Sequence, residues 1–375
     1  MCSGPATRST CLSGALAVLL FALPGTSLAA TRHEPQLGVG AEMRYDSDAL
    51  AGGGAELMTK LSPRIGYRLR NPRREAEVGY GVDLVHHAEA GNLGVDHRGQ
   101  ISYRDRPTRR LTLSLDAALF RVEDTATLPR FGVAQMRSGA LWALARGSAR
   151  LALSRTESLE AGYRGEATRL LRAGEPLGAV HAPSLRYSSP VSRRLELGVS
   201  YRYQLFSSGS ARFADTHAPG ATLRYRVARH TFFLAEAGPM FFRSKDSSAL
   251  EARLRAELQY AARGVDAGLS AGRDYVGSAG GATALWADYV QSALTWRLAE
   301  AFMLYGAAGL FRNGIAPARP TDILGYGLSA GLEWRFARSL AANLGLDRLG
   351  QIDRSDQGLT MARNILSLRL SYRMQ

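Results

Sequence analysis

Long runs of alternating apolar and polar residues constrain this chain more than any other feature of its sequence. Between Leu195 and Leu205 every second residue is Leu, Val or Tyr, and Glu, Gly, Ser, Arg and Gln lie between them. Alternation with a period of two places each set on one face of a β-strand. Most runs are about twice the ~5–6 residues of an average strand in a soluble β protein. The pattern therefore predicts long strands with one apolar face.

Short polar breaks alternate with longer ones between these runs. Typical short breaks are Asn71–Arg74, Arg106–Arg109, Arg155–Ser158 and Ala262–Gly264, and typical longer ones are Ser47–Glu56, Asp124–Gln135, Ser207–Ala214 and Gly350–Thr360. Outer-membrane barrels connect their strands in this way, with tight turns on the periplasmic side and longer loops outside. Counting the runs predicts about 18 strands, and an even number places both chain ends on the periplasmic side.

The predicted fold is all-β: a transmembrane, up-and-down, antiparallel β-barrel of about 18 strands. The first strand is predicted at Leu37–Asp46 and the last at Ile365–Met374, and pairing between them would close the barrel. A soluble sandwich or propeller is the alternative, but it would need a second layer to cover so much apolar surface. Membrane lipid covers that surface in a barrel, so the outer membrane is the expected location and its lipid an expected partner.

The first 30 residues are predicted to be a cleaved signal peptide, which leaves residues 31–375 as the barrel. Arg8 precedes the apolar stretch Leu12–Leu23, and a small-residue pattern ending near Ala29 follows it, as in secretory signals. Both cysteines, Cys2 and Cys11, lie in this segment. The predicted mature chain therefore has no disulfide, thiolate nucleophile or cysteine-based zinc site.

If the apolar face meets lipid, the other face surrounds the interior of the barrel. The residues predicted to line a pore are Arg64, Arg68, Arg98, Arg104, Arg186, Arg202, Arg224, Arg226, Arg253, Arg255, Glu251 and Glu257. Charge in a confined, low-dielectric channel attracts and concentrates counter-ions. Two interpretations stay open: the arginines attract an anionic or polar solute, or they form structural ladders with carboxylates.

The sequence predicts no catalytic residue, no metal site and no cofactor. Neighbouring strand residues point to opposite faces, so His86 and His87 could not chelate one metal together. The glycine-rich stretches Gly52–Gly54 and Gly277–Gly281 lack the Lys-Ser/Thr of a phosphate loop. Basic residues are spread along strands, which argues against nucleic-acid binding although the chain has 47 basic and 33 acidic residues.

The first third of the chain resembles a known family. The segment Gly38–Asp48, GVGAEMRYDSD, together with residues 61–87 and 95–125, is similar to outer-membrane barrels found with exopolysaccharide gene clusters, especially in myxobacteria. The shared motifs are structural, not catalytic. The resemblance implies a barrel of about 18 strands that passes a secreted polysaccharide, with any periplasmic export protein as a separate partner.

The sequence therefore favours an outer-membrane channel that exports a polar or acidic exopolysaccharide. The alternatives are a general, anion-preferring diffusion porin and a barrel scaffold that transports nothing. The longest breaks are short for a loop folded into the pore, which favours the exporter. A double substitution, Arg253→Glu with Arg255→Glu, is expected to shift ion selectivity toward cations.

Overall fold

A computed structural model describes residues 31–48, 54–89, 91–124, 138–171, 174–209, 211–245, 247–277, 284–315, 322–354 and 360–374. These residues form one 18-stranded sheet. Its strands are β1 (Arg32–Asp46), β2 (Glu56–Arg70), β3 (Arg74–His87), β4 (Leu93–Asp105), β5 (Leu111–Val122), β6 (Ala140–Ala152), β7 (Ser158–Leu170), β8 (Gly178–Pro190), β9 (Leu195–Ser208), β10 (Ala211–Ala228), β11 (Thr231–Ser244), β12 (Ser248–Ala262), β13 (Val265–Gly277), β14 (Ala284–Arg297), β15 (Phe302–Ile315), β16 (Ile323–Arg335), β17 (Leu340–Asp353) and β18 (Met361–Met374). Nowhere in these ranges is there a helix long and apolar enough to cross a membrane.

The sheet closes on itself, which confirms the predicted 18-stranded antiparallel barrel. Each strand pairs with its neighbours in the chain, and β1 pairs with β18 from Leu37–Met374 to Asp46–Ile365. The first and last strands are longer than predicted, because β1 begins at Arg32 and β18 at Met361. In β1 the additional residues pair fully with β2, so backbone hydrogen bonds extend the strand where the apolar alternation is weak. The predicted signal peptide lies outside the described residues.

Short and long connections alternate as predicted, with two exceptions. The eight short turns have from two residues (229–230 and 263–264) to five (106–110 and 153–157), and both chain ends lie on their side of the barrel. In the outer membrane this is the periplasmic end, and the opposite end is extracellular. The first exception is the extracellular connection between β11 and β12, which has only the three residues 245–247. The second is Ser207–Ala214, which was predicted as a loop. β9 and β10 extend into it, because Gly209 takes a positive φ of 59° and a register shift between Arg212 and Ala214 absorbs the extra residue.

The apolar set of every strand faces outward. Exposed side chains include Leu37, Val39, Ile65, Leu197, Val199, Leu254, Leu269, Leu310, Leu328 and Leu368. In water such a surface would be strongly unfavourable, whereas lipid tails cover it without loss. The closed sheet also leaves no unpaired strand edge in the hydrocarbon. The chain is therefore an outer-membrane β-barrel.

Candidate functional site

The twelve residues predicted to line a pore lie on the face opposite to the exposed apolar side chains. On β12, for example, Leu254 and Leu258 belong to the exposed apolar set, and Arg253, Arg255 and Glu257 alternate with them. The same alternation places the other members on β2, β4, β8, β9 and β10. Because the barrel is closed, this face surrounds its interior.

Exposure of the inner face changes from one end of the barrel to the other. On β18, Arg363 near the extracellular end is buried and Arg373 at the periplasmic end is exposed. On β6, Trp142 near the extracellular end is buried and Arg150 near the periplasmic end is exposed. We call these regions the packed half, toward the extracellular end, and the open half, toward the periplasmic end.

An apolar cluster fills part of the packed half. Its buried members are Phe206, Ala214, Ala218, Met240, Phe242, Tyr275 and Ala284, from β9, β10, β11, β13 and β14. The rings of Phe242 and Tyr275 stack with centroids 4.8 Å apart, although β11 and β13 are not neighbours in the sheet. Tyr275 belongs to the same alternate set as the exposed Leu269 on β13 and yet is buried, which indicates that this part of the wall leans into the interior.

The extracellular end of β13 is the part that leans inward. Its pairing with β12 stops at Leu254–Arg273, although β13 itself continues to Gly277. Beyond that point Gln204 on β9 donates a hydrogen bond from Nε2 to the backbone oxygen of Tyr275 at 3.3 Å. β13 also approaches β8, five strands away in the sheet. A strand end therefore crosses the interior, where a folded loop would be expected in a porin.

Glu236 on β11 is the centre of a buried network just below this crossing. It accepts hydrogen bonds from Arg253 Nη1 and Nη2 at 2.6 and 3.0 Å, and from Ser200 Oγ at 2.7 Å. A nitrogen of Arg186 lies 3.7 Å from the same carboxylate. Such a fork geometry offsets the desolvation of a buried ion pair. Arg253 is therefore a structural residue, which links β12 to β11 through Glu236.

Asp274 connects β13 to the rest of this network. It forms an ion pair with Arg202 on β9, and Arg253 Nε lies 3.7 Å from its Oδ2. Arg202 and Arg253 were both predicted to line a pore, and the structure brings them together around one carboxylate on the displaced strand. These contacts hold the end of β13 inside the barrel.

A second cross-link lies on the other side of the packed half. Arg363 on β18 donates from Nε to both carboxylate oxygens of Asp46 on β1, each at 2.8 Å. Its Nη1 lies 2.6 Å from Asp124, which follows β5. The contact joins β18 and β1 to the end of β5, so it draws two distant parts of the wall together at the extracellular end.

The open half contains a cavity of about 200 Å³ with charges of both signs. Arg150, Glu160, Arg186, Glu196, Arg224 and Arg255 are among its lining residues. Arg255 donates to Glu257 at 3.0 Å, yet about half of its side chain remains exposed. Such exposed pairs are weak and exchange readily with solvent and solutes.

Two guanidinium groups face each other at the inner end of the open half, where Arg146 on β6 pairs across the strands with Arg164 on β7. Arg146 also interacts electrostatically with Arg255 on β12, six strands away, and with the carboxylates of Glu166 and Asp116. Arg146 is not evident from the sequence, because Trp142 and Leu144 make the inner face of β6 apolar as well and obscure the alternation.

The ion pairs of the inner face bear on the two interpretations of its arginines. Of the predicted arginines, six lie within ion-pair distance of a carboxylate: Arg68, Arg98, Arg186, Arg202, Arg253 and Arg255. The structural-ladder interpretation fits the buried Arg253, whereas Arg255 remains accessible. The ladder interpretation thus applies at Arg253, and attraction of a solute stays a prediction for Arg255.

Sequence reasoning also missed Glu236 and Tyr275. The β11 segment FFLAEAGPMFF carries Phe232, Met240 and Phe242 on the same face as Glu236, so neither face looks polar. The sequence did offer one signal for Glu236, which is a carboxylate within an apolar run. A buried acid needs a charged partner, so its position could have indicated a buried ion pair. No sequence signal indicated that Tyr275 would leave the wall.

Five histidines form hydrogen bonds with neighbouring side chains. His87 Nδ1 lies 2.9 Å from Glu56 on the inner face, whereas His86 belongs to the opposite face. On the outer face four histidines contact tyrosine hydroxyls: His33 with Tyr67, His97 with Tyr80, His181 with Tyr163 and His217 with Tyr201. Among the described residues, no three His, Cys, Asp or Glu side chains form a group that could hold a metal ion.

The pentapeptide Gly-Leu-Ser-Ala-Gly occurs twice, at 268–272 and 327–331. It matches the serine-hydrolase pattern Gly-x-Ser-x-Gly. In those enzymes the serine of the pattern is the nucleophile and lies on a sharp turn between a strand and a helix. Here both copies lie in regular pairing within β13 and β16. This backbone context does not match a hydrolase nucleophile.

Solved structures of Pseudomonas proteins are similar to this chain. A BenF-like porin from Pseudomonas fluorescens Pf-5 superposes with a TM-score of 0.50 at 7% identity, over 91% of this chain and 98% of that chain. Pseudomonas aeruginosa OccK2 (OpdF), solved in complex with glucuronate, gives 0.49 at 10% identity, over 91% and 98%. P. aeruginosa OpdQ gives 0.46 at 10%, over 92% and 97%. No protein-family model and no curated protein sequence matches the chain.

Proposed function

We propose that this protein is an outer-membrane diffusion channel for small polar solutes, with a preference for anions. The observation that carries the proposal is the direct cross-strand pairing of Arg146 with Arg164 on the inner face, with the half-exposed Arg255 facing the same interior. Guanidinium groups crowded in a narrow, low-dielectric space raise the local concentration of anions. Their planar, fixed donors also suit carboxylates.

The packed half argues for small solutes. A polysaccharide chain would have to displace the end of β13, which is held by the Arg202–Asp274 ion pair and the stacked Phe242 and Tyr275. It would also have to part Arg363 from Asp124. Small solutes need only local side-chain motion. The porin alternative therefore fits the interior better than polysaccharide export.

The test is a reversal-potential measurement on the refolded chain 31–375 in a planar bilayer under a KCl gradient. An anion-selective current is expected, and Arg146→Glu with Arg255→Glu should lower or invert that selectivity. These two positions replace the pair Arg253 and Arg255 suggested by sequence, because Arg253 is buried against Glu236. Arg169→Glu, an exposed position on the outer face of β7, is the matched control and should leave selectivity unchanged.

Solute size separates the candidate functions. Glucuronate, the ligand named for the neighbour OccK2, serves as a small anionic probe, and a long acidic oligosaccharide serves as the polymer. Passage of glucuronate with exclusion of the oligosaccharide is expected. Passage of the oligosaccharide would favour the exporter, and equal anion and cation permeability in wild type would contradict the anion preference.

A further inference from the structure

The periplasmic end of the barrel carries a ring of arginines that the proposed channel does not use. Five exposed arginines lie in two turns: Arg106, Arg109, Arg110, Arg193 and Arg194. The turns 71–73, 153–157, 229–230, 263–264 and 336–339 each contain one more, and Arg297 directly precedes the turn 298–301. All eight short turns therefore contain or adjoin an exposed arginine.

These arginines are not neutralised by the protein. The eight turns contain only two carboxylates, Glu157 and Glu300. Within the described ranges, none of the turn arginines just named lies in an ion pair with an acidic side chain. At the extracellular end three outward arginines are paired instead: Arg243 with Asp215, Arg273 with Asp288 and Arg312 with Asp322. Among the described residues, exposed arginines without an ion pair are thus more numerous at the periplasmic end.

Exposed aromatic side chains mark the depth of this ring relative to the membrane. Tyr67, Tyr225, Tyr260, Trp296, Trp334 and Tyr372 face outward within a few residues of the short turns or the C-terminal end of β18. Tyr and Trp at such positions lie at the level of lipid headgroups. The turn arginines, which follow these aromatic residues toward the periplasmic end, therefore lie close to the headgroup level, and arginine binds phosphate through paired donors.

We propose that this ring is a binding surface for anionic phospholipid headgroups of the periplasmic leaflet. The distribution of the arginines around the whole circumference favours lipid, because the leaflet is the partner that surrounds a barrel on all sides. A periplasmic protein or polymer would dock on one sector of the rim. The inference is independent of what passes through the barrel.

The test measures which lipids occupy the shell around the reconstituted chain 31–375. Spin-labelled phosphatidylglycerol and phosphatidylcholine are compared by electron paramagnetic resonance, and their relative association constant is the readout. Each arginine near an anionic surface contributes about 1 kcal/mol, so a preference for phosphatidylglycerol of about fivefold or more is expected in low salt. It should fall toward unity in 1 M salt, because surface charges are then screened.

Two variants decide whether the ring causes the preference. Replacing Arg106, Arg109, Arg110, Arg193 and Arg194 with Gln should remove much of it. The matched control replaces Arg121, Arg169 and Arg348, exposed outer-face arginines toward the extracellular end, with Gln and should preserve it. Equal association of both lipids with wild type, or an unchanged preference in the five-residue variant, would overturn the proposal. Stronger binding of polyphosphate than of phosphatidylglycerol in detergent, lost in the same variant, would assign the ring to a periplasmic polyanion instead.

Discussion

Two arginines on β12, two residues apart on the same face, stand in opposite environments. The side chain of Arg253 is 8% exposed and is clamped on Glu236, whereas that of Arg255 is 52% exposed and shares Glu257 with solvent. Sequence alternation treats the two positions as equivalent. The difference lies in depth along the barrel, because Arg253 borders the packed half and Arg255 faces the open half. Depth thus divides one polar face into a structural part and a solute-accessible part.

The largest contrast is expected from removing each arginine in turn. Arg253→Ala leaves the buried Glu236 without its main partner and should lower the free energy of unfolding by about 3–5 kcal/mol. Arg255→Ala removes an exposed pair and should cost at most about 1 kcal/mol. Urea unfolding of both variants in lipid vesicles gives the comparison. Similar losses for the two would remove the distinction between the halves.

The apolar cluster offers a second contrast. Met240 is completely buried, so Met240→Ala should lower the free energy of unfolding by roughly 2–4 kcal/mol through lost burial and a cavity. Leu234 lies on the same face of β11 but borders the cavity of the open half. Leu234→Ala should therefore have a clearly smaller effect in the same unfolding assay. A larger loss of unfolding free energy for Leu234→Ala than for Met240→Ala would contradict a packed half at the extracellular end.

A third variant loosens the inward strand without emptying the core. Asp274→Asn removes the charge that holds Arg202 and approaches Arg253. The end of β13 should then move more freely, and the channel should admit larger solutes than wild type does. Liposome swelling with a series of sugars of increasing size measures the limit. An unchanged limit would show that β13 does not restrict passage.

The smallest effect is expected outside the strands, at Asp322. Hydrogen bonding from Arg312, with Arg354 nearby, lowers the pKa of this carboxyl below its ordinary value. The contribution to stability is therefore complete above the pKa of the unfolded chain and is lost as pH falls through the lower, folded value. Because the pair is exposed, Asp322→Asn should cost less than about 1 kcal/mol near neutral pH. Unfolding measured from pH 7 to pH 3 should show the difference between wild type and variant shrinking at the acid end.

The barrel itself could be predicted from sequence because lipid and interior impose opposite demands on alternate residues. The strand number, the closure between β1 and β18 and the periplasmic position of the chain ends all follow from the repeated runs and breaks. The loop predicted at Ser207–Ala214 was wrong because Gly209 allows a tight connection that composition alone does not reveal. Local chemistry thus limited the prediction of single connections.

The division of the interior could not be predicted, since it depends on contacts between strands far apart in the chain. The stacking of Tyr275 on Phe242 and the reach of Arg363 to Asp124 join segments that no local pattern relates. The alternation also fails where the interior is apolar, as on β6 and β11. Those strands carry Arg146 and Glu236, which the sequence analysis did not identify.

Chemical accessibility of the two halves tests the account most directly. Residues 31–375 contain no cysteine, so single cysteines can be introduced as Arg255→Cys and Met240→Cys in the reconstituted barrel. A negatively charged thiol reagent added on the periplasmic side should modify the Arg255→Cys variant rapidly and leave the Met240→Cys variant protected. Equal rates at the two positions would contradict an interior that is open toward the periplasm and packed toward the outside.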